Sequence, residues 1–289
     1  MLDINAFPGR VTCITGPEKN CGKTQFMNYL VQKLVRKGHA PAVMTAGYDG
    51  EARDLLNGTK KPSVYINPGT IVVTPERFLR TSTIFPEILE VVPGSTSLGN
   101  CCIARAQRAG TVILASGEGN SSITWTLTYL EENKLAHTVL IDGAFNRITQ
   151  VSAWHNSQLV YVVRVDTVNV KKTIETLTRL LMLLSLNEAS PELIDTETTF
   201  TMPDVLSLET IHAIPERIKT VILKDFTRVF LPYRELKSLL SEKQLMVLRK
   251  IPCAGIPVIV RGLSFKDFYD AVPDLPLKEL IFSNPYQDS

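Results

Sequence analysis

Close to its start the chain reads VTCITGPEKNCGKTQFMNYL, a β-branched run over residues 10–15, a turn bounded by Gly16 and Gly22, the triplet Gly22-Lys23-Thr24, and then apolar residues at helical spacing. Strand, glycine turn and helix in that order constrain the fold more than any other feature of the sequence, because they demand a βα unit whose turn opens directly onto a helix N-terminus. Such an end carries unpaired backbone N–H groups and the positive pole of the helix dipole, and glycine lets the backbone approach a ligand closely. Lys23 is placed to reach the β and γ phosphates of a nucleoside triphosphate, and the Thr24 hydroxyl to ligate its magnesium ion. The expected contact set is Gly16, Pro17, Glu18, Lys19, Asn20, Cys21, Gly22, Lys23, Thr24 and Gln25, with Lys23 also catalytic. The nearest string to a guanine-reading NKxD is Asn133-Lys134-Leu135, which lacks the aspartate, so ATP is expected rather than GTP.

Downstream, short apolar runs alternate with helical patterns. Strands are expected at residues 10–15, 41–46, 70–74, 88–92, 111–116, 138–142 and 159–165. Several are apolar almost throughout, as strands covered on both faces are. The helix after the glycine turn carries Phe26, Met27, Leu30, Val31, Leu34 and Val35 at spacings of three and four, and Gly38 ends it. Another amphipathic helix is expected at 170–186. The expected fold is α/β, a mostly parallel sheet with helices on both faces, of the P-loop NTPase kind. The polar stretch NEASPELIDTETTFT divides residues 1–187, the nucleotide-binding domain, from residues 200–289, a smaller α+β extension separate from the first sheet or continuous with it. In that tail VILKDFTRVFL reads as two short strands around a turn holding Asp225 and Arg228, followed by helices at 234–241 and 264–272 and strands at 245–249 and 257–261.

With 31 basic and 29 acidic residues the chain has no polybasic block, so neither nucleic acid nor an anionic membrane is expected as a partner. No segment has the apolar length of a spanning helix, and a cytoplasmic protein is expected. Cys13, Cys21, Cys101, Cys102 and Cys253 lack CxxC spacing and read as reduced core thiols, except Cys21 in its loop. His39, His137, His155 and His212 form no ligand pair, and Trp125 with Tyr129 reads as packing.

A triphosphate site needs a carboxylate at the end of a neighbouring strand. Asp142 ends the apolar run HTVLIDG and is the first candidate, both catalytic and metal-binding, although Asp-Gly also suits a turn. Asp49 and Glu51 follow the second strand in GYDGE, and Glu118 lies in ASGEGNSS. Arg147 is either a phosphate contact or a surface residue.

Five residues, not the usual four, separate Gly16 from Gly22, and TGPEKNCGKT thereby resembles the loops of dethiobiotin synthetases and cobyrinate amidating synthetases. That resemblance implies a kinship with metal-insertion and partitioning ATPases. It implies magnesium binding at Asp49, and at Glu118 subject to a departure, since the family's glutamate position is Ser116 in this chain. Some relatives use a second loop lysine to reach a partner subunit's nucleotide, which makes Lys19 a candidate and a homodimer a possibility; a solvated loop lysine is the alternative.

Five blocks together, TGPEKNCGKTQFMNYL, GYDGE, LGNCCIARAQRAGTVILASGEGNS, LIDGAFNR and LVYVVRVDTVNVKKTIE, resemble the P-loop subunit of the lysine aminomutase reactivase family. The implied role is an accessory ATPase that uses ATP and Mg2+ to release damaged cobalamin from an adenosylcobalamin-dependent aminomutase partner. Two other readings stand beside it: a dethiobiotin-synthetase-like ligase or small-molecule kinase, and a nucleotide-gated binding module without turnover.

Overall fold

The computed structural model describes residues 2–46, 63–96, 98–115, 120–143, 154–194 and 197–286. The chain divides into two compact units, Met1–Val162 with Pro285–Ser289, and Val163–Asn284. The first unit thus includes a short C-terminal return, while the turn-rich stretch expected to mark the boundary lies inside the second.

In the first unit the elements are β1 (Val11–Thr15), α1 (Lys23–Arg36), β2 (Ala42–Ala46), β3 (Val64–Ile66), β4 (Ile71–Pro75), α2 (Glu76–Arg80), β5 (Pro86–Thr96), β6 (Gly99–Ala106), β7 (Gly110–Val112), α3 (Asn120–Glu132), β8 (Val139–Gly143) and β9 (Ser157–Tyr161). Its sheet runs β9-β1-β8-β2-β4-β6-β5. The pairings from β9 to β4 are parallel, and β6 is antiparallel to both β4 and β5. The fold is therefore α/β with a mostly parallel, mixed sheet.

Strand alternation explains how the two faces are covered. Val11 and Cys13 of β1, Val139 and Ile141 of β8, and Ala42 and Met44 of β2 share one apolar cluster with Ile123, Leu127 and Leu130 of α3. Trp125 and Tyr129, stacked at 5.1 Å between centroids, pack against the same cluster. The intervening residues, Ile14 and Asp142 among them, face the other way, where α1 lies on β1 and β8. Phe26, Met27, Leu30, Val31 and Leu34 are the buried residues of α1, and the helix ends as the sequence leads one to expect. Gly38 is left-handed at φ 83°, its N–H bonds the Val35 carbonyl, and the His39 N–H bonds the Leu34 carbonyl, a paired closure of the last turn.

The second unit comprises β10 (Val163–Asp166), α4 (Val170–Leu184), β11 (Asn187–Glu188), β12 (Thr199–Thr201), β13 (Thr220–Leu223), α5 (Tyr233–Glu242), β14 (Gln244–Val247), β15 (Cys253–Arg261), α6 (Phe265–Ala271) and β16 (Ile281–Ser283). β15 lies between β10 and β16, and a separate sheet has the order β11-β14-β13-β12. These pairings are parallel, with α5 connecting β13 to β14, so this part is built as α/β and not as the expected α+β.

Four further expectations are corrected. The run at 159–165 is two strands, β9 and β10, broken at Val162, whose N–H bonds the Thr15 carbonyl. The strand expected at 111–116 is the short β7, antiparallel to β3 and outside the main sheet. VILKDFTRVFL is not a hairpin: after β13 the buried Asp225 accepts from the Thr227 N–H at 2.9 Å and caps a 3-10 turn. Finally, the antiparallel pair β5 and β6 has no counterpart among the expected strands beyond residues 88–92.

Candidate functional site

At the C-terminal end of β1 the chain enters the turn through Gly16, which is buried. A Cβ there would stand 2.3 Å from the Val162 carbonyl oxygen and 2.6 Å from Cys21 Sγ, so only glycine fits. Val162 is itself held by its N–H to the Thr15 carbonyl at 2.7 Å, which makes the close approach a fixed property of the turn. Residues 17–20 are exposed. Asn20 at φ 60° and Gly22 at φ 99° are left-handed, and between them Cys21 turns inward. Cys21 is buried, contrary to the expectation of a loop-exposed thiol, because its sulfur fills the space beside Gly16. Burial pushes its thiol up against the lowering influence of Lys23.

Gly22 is the N-cap of α1, and no side chain caps this end. The first intrahelical bond runs from the Phe26 N–H to the Gly22 carbonyl at 2.9 Å. The N–H groups of the first turn therefore have no acceptor within the helix and face the curl of the turn. Lys23 arches across that turn, its Nζ donating to the Glu18 carbonyl at 2.8 Å and lying 3.6 Å from Cys21 Sγ. Thr24, next along, donates its hydroxyl to Asp142 Oδ2 at 2.7 Å.

Asp142 reaches Thr24 because β8 lies beside β1 in register, Ile14 opposite Asp142, and because alternation turns Asp142 toward α1. The Asp-Gly pair is not a turn, since Gly143 continues β8 in register with Ala46 of β2. Thr45 fixes the same point from the other side by donating to the Asp142 backbone carbonyl at 2.8 Å. Cys13, beneath the site, is pushed up to about 12 by burial and, secondarily, by the Asp142 carboxylate.

The structure thus brings Lys23, Thr24 and Asp142 together. Asp49, Glu51, Glu118 and Arg147 lie outside the described residues. The chain leading toward Glu118 is tied to the end of β4, where the Thr74 hydroxyl donates to the Ile113 carbonyl at 2.9 Å and accepts from the Ala115 N–H at 3.1 Å. Asn133 and Lys134 close the C-terminal turn of α3: Asn133 Nδ2 bonds the Tyr129 carbonyl and Lys134 is left-handed. No cluster of three or more His, Cys, Asp or Glu suited to a metal occurs among the described residues. Nor is any helix among them long and apolar enough to cross a membrane.

Two contributors escape sequence reasoning. Thr45 sits mid-run in a strand, where a threonine is ordinary. Tyr286, near the C-terminus, donates its hydroxyl to the Gly22 carbonyl at 3.3 Å, and nothing in the string SNPYQDS announces it.

Chemically, the arrangement offers a polyanion an uncapped helix end and a lysine whose present partners are the Glu18 carbonyl and the Cys21 sulfur. Beside them stands a hydroxyl and carboxylate pair, both hard oxygen donors of the type magnesium prefers. Comparison of the chain with family models, with curated proteins and with solved structures gives no match.

Proposed function

We propose that residues 16–24 and Asp142 bind ATP with magnesium, and that the chain is a P-loop ATPase serving as an accessory factor to an adenosylcobalamin-dependent aminomutase. The observation that carries the nucleotide half is the 2.7 Å bond from the Thr24 hydroxyl to Asp142, formed between the helix after the turn and the strand beside it. A hydroxyl and a carboxylate already in contact at a helix N-terminus are the hard oxygen donors that would hold a magnesium ion accompanying a triphosphate. The partner half rests on the likeness of the five sequence blocks to the aminomutase reactivases.

In this reading the backbone N–H groups between Gly16 and Gln25 receive the phosphate oxygens, aided by the helix dipole. Lys23 exchanges the Glu18 carbonyl for the β and γ phosphates, a neutral acceptor for a charged one. Thr24 and Asp142 hold the magnesium ion, and Thr45 keeps the Asp142 backbone in place. Magnesium, when bound, neutralises phosphate charge that builds up as the γ-phosphoryl group leaves. Energy from binding or hydrolysis shifts the partner only insofar as ATP-bound and free forms differ in affinity for it.

The test is ATP turnover by the full chain alone and with an aminomutase carrying inactive cobalamin, with Lys23→Ala as control. The reading expects turnover that rises with the mutase and disappears in Lys23→Ala. Equal, negligible rates with and without the mutase would remove the accessory role. Turnover raised instead by a small acid or amine would favour the dethiobiotin-synthetase-like alternative, suggested by the five-residue loop.

A further inference from the structure

The C-terminal return of the chain reaches the same turn. Pro285–Ser289 belongs to the first unit, and the Tyr286 hydroxyl donates to the carbonyl oxygen of Gly22 at 3.3 Å. The Tyr286 ring packs on Tyr29 of α1 with 5.8 Å between centroids. Burial pushes the Tyr286 phenol up, and Cys21 adds to the effect, so the hydroxyl remains a donor throughout the neutral range.

What this bond controls follows from the geometry of the peptide group. The Gly22 carbonyl and the Lys23 N–H belong to one planar trans unit and point in opposite directions. Gly22 has no side chain and lies in a left-handed conformation open to few other residues, so little in the residue itself fixes the plane of that unit. The carbonyl already accepts the Phe26 N–H at 2.9 Å, and Tyr286 supplies a second donor on the same oxygen. Two donors on one oxygen fix the plane, and thereby aim the Lys23 N–H into the turn.

We infer that Tyr286 is a positioning residue for the phosphate end of the nucleotide site, acting through the Gly22–Lys23 peptide. The inference rests on the nucleotide reading above. Its consequence is that Tyr286, 264 residues from Gly22 in sequence, helps set the geometry of the turn at residues 16–24.

Isothermal titration of the full-length protein with Mg-ATP and with magnesium tripolyphosphate, which has no base, tests both levels. Wild type, Lys23→Ala, Tyr286→Phe and Tyr29→Phe are compared. Phenylalanine keeps the ring that packs on Tyr29 and removes only the hydroxyl, and loss of one hydrogen bond of this kind corresponds to about three- to tenfold in affinity. The expected result is that loss for Tyr286→Phe with both ligands, while Tyr29→Phe stays within twofold of wild type. In 15N-labelled protein, the Lys23 amide should also show a smaller shift on tripolyphosphate binding in Tyr286→Phe, a readout that general loosening of the tail would not confine to one residue. Affinity of Tyr286→Phe within twofold of wild type overturns the inference and leaves the nucleotide reading intact. A loss seen with ATP but absent with tripolyphosphate also overturns it, by assigning the hydroxyl to the nucleoside instead of the phosphate end. If wild type binds neither ligand, the nucleotide reading fails and this inference with it.

Discussion

Gly16 is where the turn leaves least room. The absent Cβ would stand 2.3 Å from a backbone carbonyl, which no rotamer change relieves. Gly16→Ala should therefore destabilise the protein by about 1–3 kcal/mol, measured by urea unfolding, and weaken nucleotide binding beyond what stability accounts for. At Lys23 the issue is charge: Lys23→Ala removes a charge-assisted contact and should weaken ATP binding about 10- to 100-fold by titration, with little change in stability. Cys13 makes a pH prediction. Its folded pKa of about 12 lies above the ordinary 9.0, so folding retains a proton that the unfolded chain loses. Stability present below pH 9 should thus decline as pH rises toward 12, by no more than the slope of one proton for this group. Comparing urea midpoints of wild type and Cys13→Ala between pH 8 and 11 checks it: the decline should be shallower in the variant. Gly16, Lys23 and Thr24 were legible in the sequence because their spacing is local. The inward turn of Cys21 was not, since it depends on the empty space at Gly16, across the turn.

Among the elements, α1 positions the site and is anchored by one apolar face. Leu30, fully buried, should cost about 2–5 kcal/mol when replaced by alanine, read from chemical unfolding. This helix and the parallel strands β1, β2, β4 and β8 were readable because burial on both faces leaves continuous apolar runs and helical burial leaves a period near 3.6. Elsewhere the pattern misled for identifiable reasons. Between β5 and β6 the register shifts at Ile88/Glu90 and Val91/Ser95, which breaks the alternation that would have announced a hairpin. The run through Val162 is apolar and buried on both sides of the break, so the break leaves no trace in hydropathy. At VILKDFTRVFL the deciding event is a cap by Asp225, a side-chain choice that the polar pair Asp225 and Arg228 fits as well as a hairpin turn.

At the scale of the whole molecule, the polar stretch at 187–201 looked like a boundary because it is turn-rich, yet the compact units divide at Val163, in the middle of an apolar run. Composition reports solvent exposure, not which residues gather into one compact unit. The return of Pro285–Ser289 to the first unit was invisible for a similar reason: Tyr286 and Gly22 are separated by 264 residues and linked by one hydrogen bond. If the site binds nucleotide, ligand should stabilise the folded chain by about 2.7 kcal/mol at a hundredfold excess over Kd. Whether Asp142 and Thr24 hold magnesium on a bound triphosphate is decided by titrating ATP with and without Mg2+ into wild type and Asp142→Asn. Magnesium should tighten binding to wild type at least tenfold, by about 1.4 kcal/mol or more, and most of this gain should be lost in Asp142→Asn. Equal magnesium dependence in the two proteins would contradict it.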